Sequence, residues 1–217
     1  MATLTREVIA QLIEEASWTE RAKSVERLAA RFAEGGLDES EWHVATDAFR
    51  VVLYDAEPLV RLVLAETVKF APDLPRDILL ALARDAATVA TPILEHSRLL
   101  SEDDLLPIAQ RHSPAHRFAI AGRRLISNRI AAALCRNGER AVVLRLLANE
   151  GAAVAEQTLH ALLDRFPDQP PLIDAIARRR LLPVSVGSRL FGTQKRAEAE
   201  NERPPLRLVW DRTGSLG

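Results

Sequence analysis

One cysteine, nine glycines and an aromatic content of 5% set the first limits on this 217-residue chain. Cys135 alone cannot close an internal disulfide, and no spaced Cys/His set of a zinc module accompanies it. Its place in the apolar run from Ile130 predicts a small buried core residue. So few, scattered glycines leave little room for a Walker, Rossmann or Gly-x-Ser-x-Gly loop, and none is found. With few aromatics, Leu, Ala, Ile and Val must fill the interior. Alternating runs of Val, Ile, Thr and Tyr are missing too, which argues against a β-rich fold. No apolar run is long enough to cross a bilayer, and the amphipathic start from Met1 to Ala16 has no signal-peptide core. A soluble, cytoplasmic protein with no membrane partner is the expectation.

Lysine is scarce as well. Of 29 basic side chains three are lysines (Lys23, Lys69 and Lys195), leaving 26 arginines beside 30 acidic groups and a net charge of −1. The charge is uneven along the chain. Residues 1–60 carry net −6 and residues 61–110 net −3, whereas 111–145 hold eight arginines against Glu139 alone. A cationic stretch within an acidic chain points to an anionic partner or to pairing with the acidic half.

What is present is a repeat. The anchors Val60, Val89, Phe118, Val154 and Val184 lie 29, 29, 36 and 30 residues apart, each opening an apolar helical pattern. A period near thirty with two helix-sized segments marks an α-helical repeat array. The 36-residue interval fits one extra inserted helix. Ahead of the array the pattern predicts three helices: Leu4 to Ala16, one from a Ser17-x-x-Glu20 capping box to Glu34, and one from Asp38 to Tyr54. Gly35-Gly36 separates the last two. Pro92 kinks or delays the helix at Thr88 to His96, and Ser101-x-x-Asp104 opens the next. Residues 1–191 thus read as a single helical-repeat domain, and 192–217 as a flexible charged tail interrupted by the apolar Leu206 to Trp210.

The run Asp55 to Glu66 (DAEPLVRLVLAE) resembles the second helix of a HEAT repeat. Three further runs, Leu82 to Leu106, His116 to Ser127 and Val142 to Ala152, resemble in content and order a bacterial family known as domain-of-unknown-function family 2336. The resemblance implies an all-α, HEAT-like α-solenoid of short antiparallel helix pairs. It implies no catalytic residue.

No catalytic constellation is found, and no cofactor is expected. His112 and His116 have metal-ligand spacing, but Pro114 between them disfavours one helix carrying both, so no metal is expected. The arginines carry the functional expectation. Arg117, Arg123, Arg124, Arg129, Arg136 and Arg140, with Arg145, fall on consecutive short helices and would form an anion-binding face if several share one side. The first reading is therefore a non-catalytic scaffold or adaptor for a protein partner, an acidic one fitting best. The second is nucleic-acid binding, of the HEAT-like DNA glycosylase type. Such an enzyme would use a basic cleft with Trp and Asp at the lesion, whereas Trp18 and Trp42 lie among acidic helices far from the arginines.

Overall fold

The computed structural model describes residues 14–15, 17–167, 169–190 and 192. Among these, eleven helices follow one another: α1 (Trp18–Glu34), α2 (Glu39–Val52), α3 (Pro58–Val68), α4 (Arg76–Ala83), α5 (Ala87–His96), α6 (Glu102–Arg111), α7 (Pro114–Ala121), α8 (Asn128–Asn137), α9 (Arg140–Ala148), α10 (Glu156–Arg165) and α11 (Pro170–Ala177). Residues 184–190 are helical as well. The chain is all-α, with one isolated parallel bridge between Ile126 and Ala152. The expected first helix, apart from its last residues, and the Leu206 to Trp210 segment lie outside the described residues.

Caps decide where the helices begin. Asp38 accepts from the Glu41 amide while the Glu41 carboxylate accepts from the Asp38 amide, a reciprocal box opening α2. Ser101 and Asp104 do the same for α6. Ser17 does precede α1, but its hydroxyl bonds Thr19 and caps no amide, so the box expected with Glu20 does not form. Gly35 and Gly36 follow α1 with φ of 77° and 72°, a conformation an L side chain resists. Pro92 neither delays α5 nor stands outside it, since the helix starts at Ala87. Replacing Asp38 by Ala should cost about 1 kcal/mol, read as a lower urea midpoint at unchanged m-value.

Alternate helices pack in series. α3 lies against α1 and α5, α7 against α5 and α9, and α9 against α11; α8 lies against both α6 and α10. One buried core runs through all of them, from the edge-to-face pair Phe32 and Phe49 to Leu64, Leu79, Ile93, Ile120, Leu134, Leu146 and Leu159.

The helix starts correct the repeat register. α3, α5, α7, α9 and α11 begin at 58, 87, 114, 140 and 170, intervals of 29, 27, 26 and 30 with no inserted helix. The third residue of each, Val60, Val89, His116, Val142 and Leu172, is buried. Of the expected anchors, Phe118 is 42% exposed, Val154 is half-buried between helices and Val184 is 86% exposed. The misreading has a chemical cause. A histidine stands at the anchor position of α7, its polarity satisfied by bonds within the fold. The His116 Nε2 donates to the Asp85 carbonyl (2.9 Å), which leaves Nδ1 to accept from the Ser113 hydroxyl (2.8 Å).

Candidate binding surface

Short helices multiply helix ends, and each C-terminus leaves carbonyls without amide partners at the negative end of the dipole. Arginine, with a planar fork of donors, suits that position. Beyond α7, Arg123 donates to the Leu94 and Ser97 carbonyls at the end of α5 (2.5 and 2.8 Å). Beyond α9, Asn149 donates to the Ala121 and Arg123 carbonyls at the end of α7 (3.1 and 2.7 Å). Beyond α11, Arg179 donates to Leu147 and Ala152 after α9 (3.1 and 2.6 Å). At the other ends, Arg61 donates to the Asp55 carbonyl, Arg117 to that of His112, and Arg165 to those of Cys135 and Arg136. The Arg123, Asn149, Arg179 and Arg165 bonds join one helix pair to the next, whereas those of Arg61 and Arg117 tie a helix to the turn just before it. Gly151 permits the close approach behind the Asn149 clamp, because a Cβ there would collide with the Arg124 carbonyl oxygen.

Carboxylates complete the joints. Arg21 holds Asp55, Arg61 holds Asp85 and Arg76 holds Asp104, at 2.5–2.7 Å. The Arg21 bond chiefly keeps the Asp55 carboxyl below its ordinary range. Burial works the other way at Asp85, and the Arg61 bond with the Ala86 amide outweighs it.

The six arginines expected to bind an anion, and Arg145 with them, divide accordingly. Arg117 is buried, and besides the His112 carbonyl it holds Glu139 at 2.7 Å, lowering that carboxyl's pKa. Arg123 is spent on the end of α5, and burial pushes its pKa down. Arg129 reaches solvent but pairs with Asp103 (2.7 Å) and Glu102 (3.4 Å), the Asp103 bond chiefly raising its pKa. Arg145 bonds Glu95 (2.6 Å) and lies 4.3 Å over the Phe118 ring. Arg124, Arg136 and Arg140 are exposed, and no side-chain partner faces them among the described residues.

These three do not gather at one place. Arg124 follows α7 beside the start of α8, whereas Arg136 and Arg140 flank the turn at the far end of α8. Arg136 and Arg140 have neighbours that sequence reasoning missed. Arg84 caps the end of α4 and Arg111 is the last residue of α6, both exposed and likewise without a side-chain partner among the described residues. Arg84 is near enough to His112, just past the end of α6, to lower its pKa, although burial is the larger cause. α6 and α8 run the same way, because Arg129 at the start of α8 meets Glu102 and Asp103 at the start of α6. The ends bearing Arg84, Arg111 and Arg136 therefore lie on one edge, with Arg140 beside them. Their spacing of 27 and 25 residues was the available signal.

Next to this edge, α8 and α10 part to leave a groove of about 340 Å³, lined by Ala132, Cys135, Ala161 and Leu162 together with the polar Gln157, Thr158, Arg136 and Arg165. Burial raises the Cys135 thiol to about 12, so it stays protonated and unreactive at neutral pH. His112 and His116 have ring centres 5.1 Å apart, with both His116 nitrogens engaged inside the fold. Among the described residues no three His, Cys, Asp or Glu side chains group as a metal site, and no helix is long and apolar enough to cross a membrane.

A family model described as an uncharacterised protein conserved in bacteria matches residues 89–200, from α5 past the end of α11. It takes in the arginine-rich segment and the groove. No curated protein and no solved structure matches the chain.

Proposed function

The chain belongs to the bacterial domain-of-unknown-function family 2336, and for this member we propose a HEAT-like α-solenoid acting as a non-catalytic scaffold that binds an acidic protein segment. The serial packing of alternate helices and the even helix starts support the architecture. A single observation carries the binding reading: Arg84, Arg111, Arg136 and Arg140 line one edge with no partner among the described residues, while Asp55, Asp85 and Glu139 on that edge are already held by Arg21, Arg61 and Arg117. Three stacked helix ends span about 20 Å at the usual interaxial distance. About six residues of extended chain cover that length, so a short acidic stretch fits.

Fluorescence anisotropy with a labelled twelve-residue glutamate-rich peptide and with a labelled DNA duplex tests the reading. The peptide should bind at low salt, and Arg136→Glu with Arg140→Glu should weaken it about tenfold, as expected for two exposed charge contacts reversed. Peptide affinity indifferent to the double substitution would remove the proposal. Tighter binding of the duplex, falling steeply with salt and lost in the same variant, would replace it with the nucleic-acid reading.

A further inference from the structure

We propose that the edge opposite Arg136 and Arg140 docks on the surface of an anionic lipid bilayer, through loop tips that each pair a cation with an outward apolar side chain. The tips follow α3, α5, α7 and α11. There Lys69-Phe70, Arg98-Leu99, Arg124-Leu125 and Arg180-Leu181 take corresponding places, 29, 26 and 56 residues apart, close to one, one and two repeats. The residue after each pair turns inward: Ala71, Leu100 and Ile126 are buried and Leu182 is half-buried. That turn leaves the apolar member of the pair outside. Phe70, Leu125 and Leu181 are 69%, 74% and 90% exposed, and Leu99 is half-buried.

Contacts between successive loops set the tips in one row. The Phe70 ring lies 5.5 Å from that of His96, Arg123 donates to the Ser97 carbonyl, Ile126 bridges to Ala152, and Arg179 donates to the Ala152 carbonyl. After α9 the pair is replaced by Glu150-Gly151, where a Cβ would collide with the Arg124 carbonyl oxygen, and Glu150 faces Arg180 at 3.9 Å. Asp73 is exposed at this edge, but Arg76 holds Asp104, and Arg129 holds Glu102 and Asp103. Arg98, Arg124 and Arg178 are exposed with no side-chain partner among the described residues. A protein partner gains most from a contiguous apolar patch. Single apolar tips beside cations suit a bilayer instead, the apolar side chain entering the acyl boundary while the guanidinium meets lipid phosphates. Docking of this kind needs no crossing helix, and it replaces the sequence-based expectation that no membrane is a partner.

Cosedimentation of the full chain with vesicles of equimolar phosphatidylcholine and phosphatidylglycerol, and with vesicles of phosphatidylcholine alone, tests the contact. Binding to the mixed vesicles should be several-fold tighter. Leu125→Ser with Leu181→Ser should weaken it about tenfold, as for two leucines partly buried at the interface. Leu125→Trp with Leu181→Trp should keep it, since an aromatic ring suits that depth. An unchanged urea midpoint, expected at sites this exposed, shows each variant folded. Absence of binding to the mixed vesicles overturns the proposal, and so does binding that the serine pair leaves as it was. An equal fall in Arg136→Glu with Arg140→Glu overturns it too, because attraction of any cation would then account for the contact. A dimer that the serine pair dissolves, with vesicles unbound, assigns the row to a second copy. Acidic-peptide binding is read at the opposite edge, so its failure leaves this contact standing.

Discussion

Replacing Arg123 by Met should destabilise the fold by about 3 kcal/mol, although the methionine keeps most of the aliphatic stem. The substitution strips two donors from the Leu94 and Ser97 carbonyls, which end α5 in a part-buried setting. Hydrogen bonds from a charged donor contribute about 1.5–3 kcal/mol each, and an orphaned buried acceptor costs about 1–3 kcal/mol. Against this stands the desolvation of the guanidinium, which lowers its pKa and takes back part of the gain. Equilibrium urea unfolding measures the difference. A loss under 1 kcal/mol would mean that water satisfies those carbonyls and that the side chain is no joint. Arg124→Met, one residue on and facing solvent, should change stability by less than about 0.5 kcal/mol.

Asp104→Ala should cost a similar amount, about 3 kcal/mol, and alter the pH dependence as well. Its side chain is 5% exposed and serves two structures at once. It accepts from the amide and hydroxyl of Ser101 in the capping box (3.0 and 2.6 Å), and it accepts the Arg76 fork from α4 (3.1 and 2.5 Å). Burial alone would raise its pKa, and the Ser101 and Arg76 bonds together outweigh that, holding it below the ordinary value of 3.8. A carboxyl depressed in the folded state stabilises above the unfolded pKa, and the contribution is lost as pH falls through the folded one. Asp55, Asp77 and Glu139 are depressed chiefly by their arginine bonds, and Asp85 is depressed against the pull of burial. Stability should therefore fall steeply below about pH 4, after a smaller decline that begins near pH 6.5, where the buried His112 resists the proton that the unfolded chain takes up. In Asp104→Ala the neutral-pH value drops and the acid limb becomes shallower. An acid limb of unchanged slope would refute the assignment.

The all-helical class was legible because apolar residues recur at helical spacing between unmistakable stops such as Gly35-Gly36. The caps were legible at Asp38 and at Ser101 with Asp104, whereas Ser17 with Glu20 offers the same spacing and forms no box. Register was harder. His116 occupies an anchor position that a search for large apolar residues passes over, and its neighbour Phe118 drew the reading two residues downstream. The arginines were visible as a charge excess, but sequence cannot tell a guanidinium spent on a carbonyl some thirty residues away from one left in water. Arg123 belongs to the first kind and Arg136 and Arg140 to the second, while Arg117 is spent on the nearby His112 carbonyl and on Glu139. Arg84, beside Asp85, lay outside the basic block, and Arg111, the first residue of that block, went unnoticed because only the fold brings its helix end level with those of Arg84 and Arg136.

The bond between Arg145 and Glu95 spans fifty residues and passes over α7 to tie α9 to α5. Together with the Arg123 and Asn149 clamps it makes α5, α7 and α9 a single stiff block. α6 and α8, joined to each other by Arg129 and the acids of α6, pack against that block and end at Arg111 and next to Arg136 and Arg140. On the binding proposal, that edge would act as a ruler, selecting an acidic ligand by the distance between its charges and not by their number.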